Sequence, residues 1–187
     1  MERITAENWR RQNAHERPSA AWVMDWDDIL HGLAAELGLE EALVTGDALA
    51  ACGARYAMPP YCATLDDAAA VLRQLREEGD RRLVVSTMGL SKYQFPVLRG
   101  LGLYDLFDDF LMPDVSGALK TERAFFTAYL DSPDAADQRL ISVGDNYLHD
   151  VAVPKRLGFG SVLRLPVEEL AGLDPFARPP HIHAHGA

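Results

Sequence analysis

Five acidic residues sit in short clusters that each follow an apolar run, and their neighbours are the kind that handle phosphate. Asp25, Asp27 and Asp28 come directly after Ala20-Ala21-Trp22-Val23-Met24. Ser86-Thr87 follows Leu83-Val84-Val85, Lys120 lies further on, and Gly144-Asp145-Asn146 follows Leu140 to Val143, with Asp150 soon after. Carboxylates gathered at one edge of a fold repel each other unless a cation sits among them, and hard oxygen ligands at this density suit Mg²⁺. Asp25 and Asp27 are two residues apart, so an extended strand puts both side chains on one face, and a turn can still bring them together. A lysine balances the negative charge, while Thr87 and nearby main-chain N–H groups can hold a transferred group. That set of parts makes a phosphoryl-transfer site. Taken singly, each aspartate is equally suited to capping the helix that follows it.

The elements that must position these residues alternate. The Ala20 to Met24 run reads as a buried strand ending at Asp25. Residues Ile29 to about Tyr56 read as helical, interrupted near Gly38 and Gly46, and the Met58-Pro59-Pro60 stretch ends that pattern. Leu65 to Glu78 carries Leu65, Ala68, Ala69, Leu72 and Leu75 on one helical face, and Gly79 stands where a helix would stop. Leu83 to Val85 reads as a second strand, followed by strands near Phe110 to Met112, Leu140 to Val143 and Ser161 to Leu165. Helices are expected near Gln94 to Leu101, Glu122 to Leu130 and Val151 to Leu157. This order predicts an α/β fold, a parallel sheet with helices on both faces. Ligands of such sheets bind beyond the carboxyl ends of the strands, where the polar clusters fall.

The segments Asp25-Trp26-Asp27-Asp28-Ile29-Leu30, Thr87-Met88-Gly89, Lys120 and Gly144-Asp145-Asn146-Tyr147-Leu148-His149-Asp150 resemble, in order, motifs I to IV of the haloacid dehalogenase superfamily. The resemblance runs from about Ala20 to Leu165. It implies a three-layer, Rossmann-like parallel sheet with a small α-helical cap inserted after the first strand. It also implies a set of roles. Asp25 is the nucleophile that forms an aspartyl-phosphate. Asp27 is the general acid and base. Thr87, Met88 and Lys120 contact the substrate, with Lys120 neutralising charge. Asp25, the main-chain oxygen of Asp27, and Asp145 bind Mg²⁺, with Asp150 behind them. Ile29, Met88 and Thr121 depart from the residues common at those places, though none removes a reacting group. Ser86 is the alternative to Thr87 as the motif II hydroxyl.

Asp27 separates the phosphatase branch from the dehalogenases, which lack an acid two residues after the nucleophile. Lys92, Lys120 and Lys155 are the only lysines, and none lies in the cap segment, which argues against the branch that forms a Schiff base on a cap lysine. The expected organisation is an N-terminal extension over 1–19, a core of 20–30 and 63–175, a small helical cap over 31–62 and a flexible tail over 176–187 that carries His181, His183 and His185. His31, Arg55, Tyr56, Tyr61 and Trp26 are candidates for substrate contact, with packing between cap and core as the alternative.

Composition sets the outer bounds. The 187 residues are enough for one full-sized core, and 48% apolar with 25% charged residues is ordinary for a globular chain. A net charge of −10, with no run of Lys or Arg, argues against long nucleic acids as partners. Cys52 and Cys62 are too few for a disulfide framework. No apolar stretch reads as a signal peptide or a membrane span, so the expected setting is the cytoplasm and the expected assembly a monomer or homodimer. The expected activity is hydrolysis of a small phosphorylated metabolite. A phosphomutase or phosphotransferase using the same intermediate, and a catalytically silent binding module on the same fold, are the alternatives.

Overall fold

The structure is a computed structural model and describes residues 2–39, 46–65 and 67–165. The expected tail over 176–187, with its three histidines, lies outside the described residues. The chain forms two compact units, residues 1–119 and 120–187.

The first unit opens with helix α1 (Glu2–Gln12), followed by α2 (Ala20–Met24) and α3 (Trp26–Glu36). Residues 20–24 were expected as a strand and are a helix instead. The Ser19 side chain accepts from the Trp22 N–H at 3.1 Å and so satisfies one of the amides that a helix start leaves unpaired. Ala20, Val23 and Met24 are the buried residues, a spacing of three and four that belongs to a helix. They pack with Leu90 and Leu119, and Met88 and Tyr93 lean on the same cluster. A five-residue apolar run carries no periodicity long enough to distinguish the two states.

The N-terminal segment is tied to this part of the chain. Asn8 Nδ2 donates to the Val23 carbonyl at 2.8 Å, and Arg11 Nη1 donates to the Trp22 carbonyl at 2.9 Å. Those carbonyls lie in the last turn of α2, where no intrahelical donor remains for them. Arg11 is 5% exposed, stacks over the Trp22 ring at 4.2 Å and pairs with Asp28 at 2.7 Å. The segment 1–19 therefore braces both sides of Asp25.

Helices α4 (Ala48–Arg55) and α5 (Ala68–Glu78) follow, the latter closed by Gly79 in the left-handed region at φ 70°. Strand β1 (Val84–Ser86) pairs in parallel with β2 (Asp109–Leu111), matching Val84 with Asp109 and Ser86 with Leu111. Between them runs α6 (Ser91–Gly100), whose Phe95 meets Tyr104 and Phe110 edge-on. Helix α7 (Pro113–Ser116) completes the unit's described elements.

Gly100 is where α6 passes closest to the chain after α4. A Cβ at that position would lie 1.7 Å from the Ala57 carbonyl oxygen, a backbone atom that cannot swing aside. Gly100→Ala is expected to cost about 1–3 kcal/mol of stability through overpacking, read as a lower urea midpoint with an unchanged slope.

In the second unit, a 3₁₀ turn at Arg123–Phe126 leads into α8 (Thr127–Leu130). Strand β3 (Ile141–Gly144) pairs in parallel with β4 (Gly160–Leu163), and between them a π-helical turn at Tyr147–Ala152 runs into α9 (Val153–Arg156). Phe125, Phe126 and Phe159 form an edge-on aromatic chain in this unit. All four strands read from Leu83 onward are found within two residues of their expected places, and the fold class is α/β with parallel pairing.

Candidate active site

Asp25 sits in the single extended residue between α2 and α3, and its Oδ1 caps α3 by accepting from the N–H groups of Asp27 and Asp28 at 3.1 and 3.2 Å. The same oxygen receives Lys92 Nζ at 2.7 Å and the Tyr93 hydroxyl at 3.1 Å. The other oxygen, Oδ2, has no hydrogen bond or ion pair among the described residues. Partial burial works to raise the Asp25 pKa, but the Lys92 hydrogen bond and charge, the Asp28 amide and the Tyr93 hydroxyl outweigh it, and the net direction is downward. Asp25 is thus an anion with one oxygen fixed and one available.

Asp27 is placed differently from what the proton-carrier role expected of it suggests. Its carboxylate is 2% exposed, and its two oxygens accept from Leu49 N at 2.6 Å and Ala50 N at 3.2 Å. These are amides of the first turn of α4, whose own N-cap, Asp47, makes no side-chain capping bond. Asp27 therefore caps α4 from 22 residues away. The Tyr93 hydroxyl also donates toward Asp27 Oδ2 at 2.9 Å and accepts from Asp27 N at 2.9 Å. Burial raises the Tyr93 pKa, and the two neighbouring carboxylates push it the same way, so the phenol keeps its proton.

Lys92 and Tyr93 are contacts of the candidate site that sequence reasoning missed. Lys92 enters the sequence reading only as evidence against a Schiff base on a cap lysine, yet its ammonium reaches Asp25 at 2.7 Å, Asp47 at 2.6 Å and Asp27 at 3.4 Å. Burial would lower its pKa, but the bonds to Asp25 and Asp47 reverse that and hold it well above the usual lysine range. One signal was available: Lys92-Tyr93 opens the helix after motif II, and the chain has only three lysines.

Thr87 follows β1. Its N–H extends the ladder to the Leu111 carbonyl at 3.0 Å, and its hydroxyl accepts from Gly89 N at 3.1 Å. Ser86, the alternative hydroxyl, is the last residue of β1, with its Oγ buried. Met88 packs against the Ala20–Met24 cluster. Gly89 lies directly under the Gln94 side chain, and a Cβ there would meet Nε2 at 2.1 Å.

In the second unit, Lys120 Nζ binds Asp150 Oδ1 at 2.6 Å, with both side chains under a tenth exposed. Asp150 Oδ2 accepts from Asn146 N at 2.8 Å. Gly144 makes room for this carboxylate, since a Cβ would fall 2.2 Å from it. Asn146 caps the π-helical turn by accepting from His149 N at 3.0 Å. Burial and the Lys120 charge lower the His149 pKa, against Asp150. Asp145 is exposed at the carboxyl end of β3, with no hydrogen bond or ion pair among the described residues.

The residues present can be tested against Mg²⁺. The exposed Asp145 carboxylate offers hard oxygens that have no partner among the described residues, which suits that ion. The Asp27 side chain is committed to α4 and leaves only its main-chain oxygen. Among the described residues no cluster of three or more His, Cys, Asp or Glu is arranged as a metal site.

No family model matches the chain. It is 27% identical over 165 residues to human haloacid dehalogenase-like hydrolase domain-containing protein 3, covering 88% of this chain and 62% of that protein. It is 31% identical over 125 residues to the ribulose-1,5-bisphosphate 5-phosphatase of Halopiger xanaduensis, covering 66% of this chain and 52% of the phosphatase. The chain thus spans between half and two thirds of the length of these relatives. Among solved structures, a haloacid dehalogenase-type (HAD) phosphatase of Thermococcus onnurineus superposes with a TM-score of 0.66 at 23% identity, covering 97% of this chain and 73% of that one. A HAD-hydrolase of Bacillus subtilis bound to magnesium gives 0.65 at 19% identity, covering 97% and 75%. Sequence relatives and solved structures lead to the same conclusion: in sequence and in its α/β fold the chain is similar to haloacid dehalogenase-like hydrolases.

Proposed function

We propose that this chain is a Mg²⁺-dependent phosphatase that hydrolyses a small phosphate monoester through an aspartyl-phosphate on Asp25. The observation that carries the reading is the state of Asp25: ionised, held through Oδ1 by an ammonium, a phenol and two helix amides, with Oδ2 left to attack. In the first step a bond forms between Oδ2 and phosphorus as the ester P–O bond breaks, and the leaving oxygen takes a proton from the carboxylic acid form of Asp27. In the second step water attacks the same phosphorus, gives its proton to the Asp27 carboxylate and releases inorganic phosphate, restoring Asp25. The first-turn amides of α3 add positive potential beside the incoming phosphate. Thr87 and the Met88 backbone are the groups assigned to the phosphoryl oxygens, and Lys120 supplies charge to them. Asp25, the Asp27 main-chain oxygen and Asp145 would hold Mg²⁺, which when bound polarises phosphoryl oxygens and offsets the carboxylates. One relative is named for a phosphate ester of a sugar and one structural neighbour is a phosphatase, which supports the substrate class. The acid at position 27 supports it over dehalogenation.

A catalytically silent binding module on the same fold is favoured by one observation: both oxygens of Asp27 are occupied by the amides of α4. Phosphate release from an aryl phosphate decides between the two. Turnover with Mg²⁺ at least about 10-fold above that with chelator is the expected result. Silence on the aryl phosphate and on a panel of phosphorylated metabolites would favour the module.

A further inference from the structure

Lys92 has no part in the four motifs, yet in the first unit it is the cation in contact with the reacting carboxylate. Its placement is built rather than incidental. Ser91, which opens α6, is fastened through its N–H to both oxygens of Asp114 at 3.2 and 3.1 Å and through its hydroxyl to the same carboxylate. That anchor fixes the first turn of the helix on which Lys92 and Tyr93 ride. From there the ammonium spans Asp25 Oδ1 at 2.7 Å and Asp47 Oδ1 at 2.6 Å, and its side chain is 26% exposed. Tyr93 approaches the same Asp25 oxygen at 3.1 Å from the adjacent position. Three donors other than the ammonium already converge on Oδ1, and none lies on Oδ2. A carboxylate pinned at one oxygen presents the other in one orientation, which is the condition for in-line attack.

We propose that Lys92 is a positioning residue for the nucleophile: it clamps Asp25 through Oδ1 so that Oδ2 alone attacks phosphorus, and Asp47 at the head of α4 holds the clamp in place. The inference rests on the reading of Asp25 as nucleophile. It places Lys92 on the rate of the chemical step and not on the capture of substrate. The alternative is a structural ion pair that only joins α6 to α4.

The test compares kcat, KM and thermal midpoint for the wild type, Lys92→Met, Lys92→Arg and Asp47→Asn, with an aryl phosphate and Mg²⁺. The expected result is a kcat lowered about 10- to 100-fold in Lys92→Met with KM changed less than about 3-fold, as for a misaligned nucleophile. Lys92→Arg should recover most of that loss, and Asp47→Asn should lose about 2- to 5-fold in kcat alone. A Lys92→Met enzyme that keeps kcat within about 2-fold would overturn the proposal, as would a loss that falls on KM or that Arg fails to restore. An inactive wild type would overturn the phosphatase reading and this inference together, whereas an active wild type with an indifferent Lys92 overturns the inference alone.

Discussion

Asp25→Asn is expected to reduce phosphate release by at least about 1,000-fold while leaving the protein folded, because it removes the only attacking atom of the proposed reaction. The fold survives for a local reason. Asp25 caps α3 through its side-chain oxygen, and asparagine fills an N-cap about as well as aspartate. Lys92 keeps Asp47 as a partner at 2.6 Å, so the ammonium is not left alone. A thermal midpoint within a few degrees of the wild type beside a vanished rate is the outcome to look for. Asparagine supporting the wild-type rate would remove Asp25 from the chemistry altogether.

Asp27→Asn should act on both rate and stability. As general acid and base, its loss is expected to lower kcat by about 100- to 10,000-fold. An amide can also accept from only one of the two α4 N–H groups now held by the carboxylate, since its NH₂ would face the other donor. The buried mismatch is expected to cost about 1–3 kcal/mol, visible in a denaturant titration. A variant that loses the stability but keeps the rate would show that Asp27 is a helix cap and nothing more. The carboxylate is engaged by Leu49 N and Ala50 N, so in the proposed reaction α4 would have to yield those two hydrogen bonds before Asp27 reaches a leaving oxygen.

Much of this was legible in the sequence. Leu83-Val84-Val85 and the apolar runs before Asp145 and around Val162 became strands because β-branched residues bounded by polar ones leave few other options. Gly79 stopped α5 as expected, since its left-handed φ is open to glycine without strain. Residues 20–24 were misread because Ser19 supplies a cap that a five-residue apolar window does not weigh. The partners of the two aspartates were illegible for another reason. Tyr93 meets Asp25 across 68 positions, and Asp27 meets α4 across 22, and nothing in local pattern reports such meetings. Motif spacing singled out the two aspartates, but not the residues that hold them.

The bracing of Asp25 by α1 carries a consequence for the order of assembly. The bond from Asn8 to Val23 closes 15 positions and the pair of Arg11 with Asp28 closes 17, short loops with a small entropy of closure. The Tyr93 contact to the same aspartate spans 68. During folding the turn that bears Asp25 can take its shape from the first thirty residues, ahead of the sheet, and its distant partners arrive afterwards onto a template already formed.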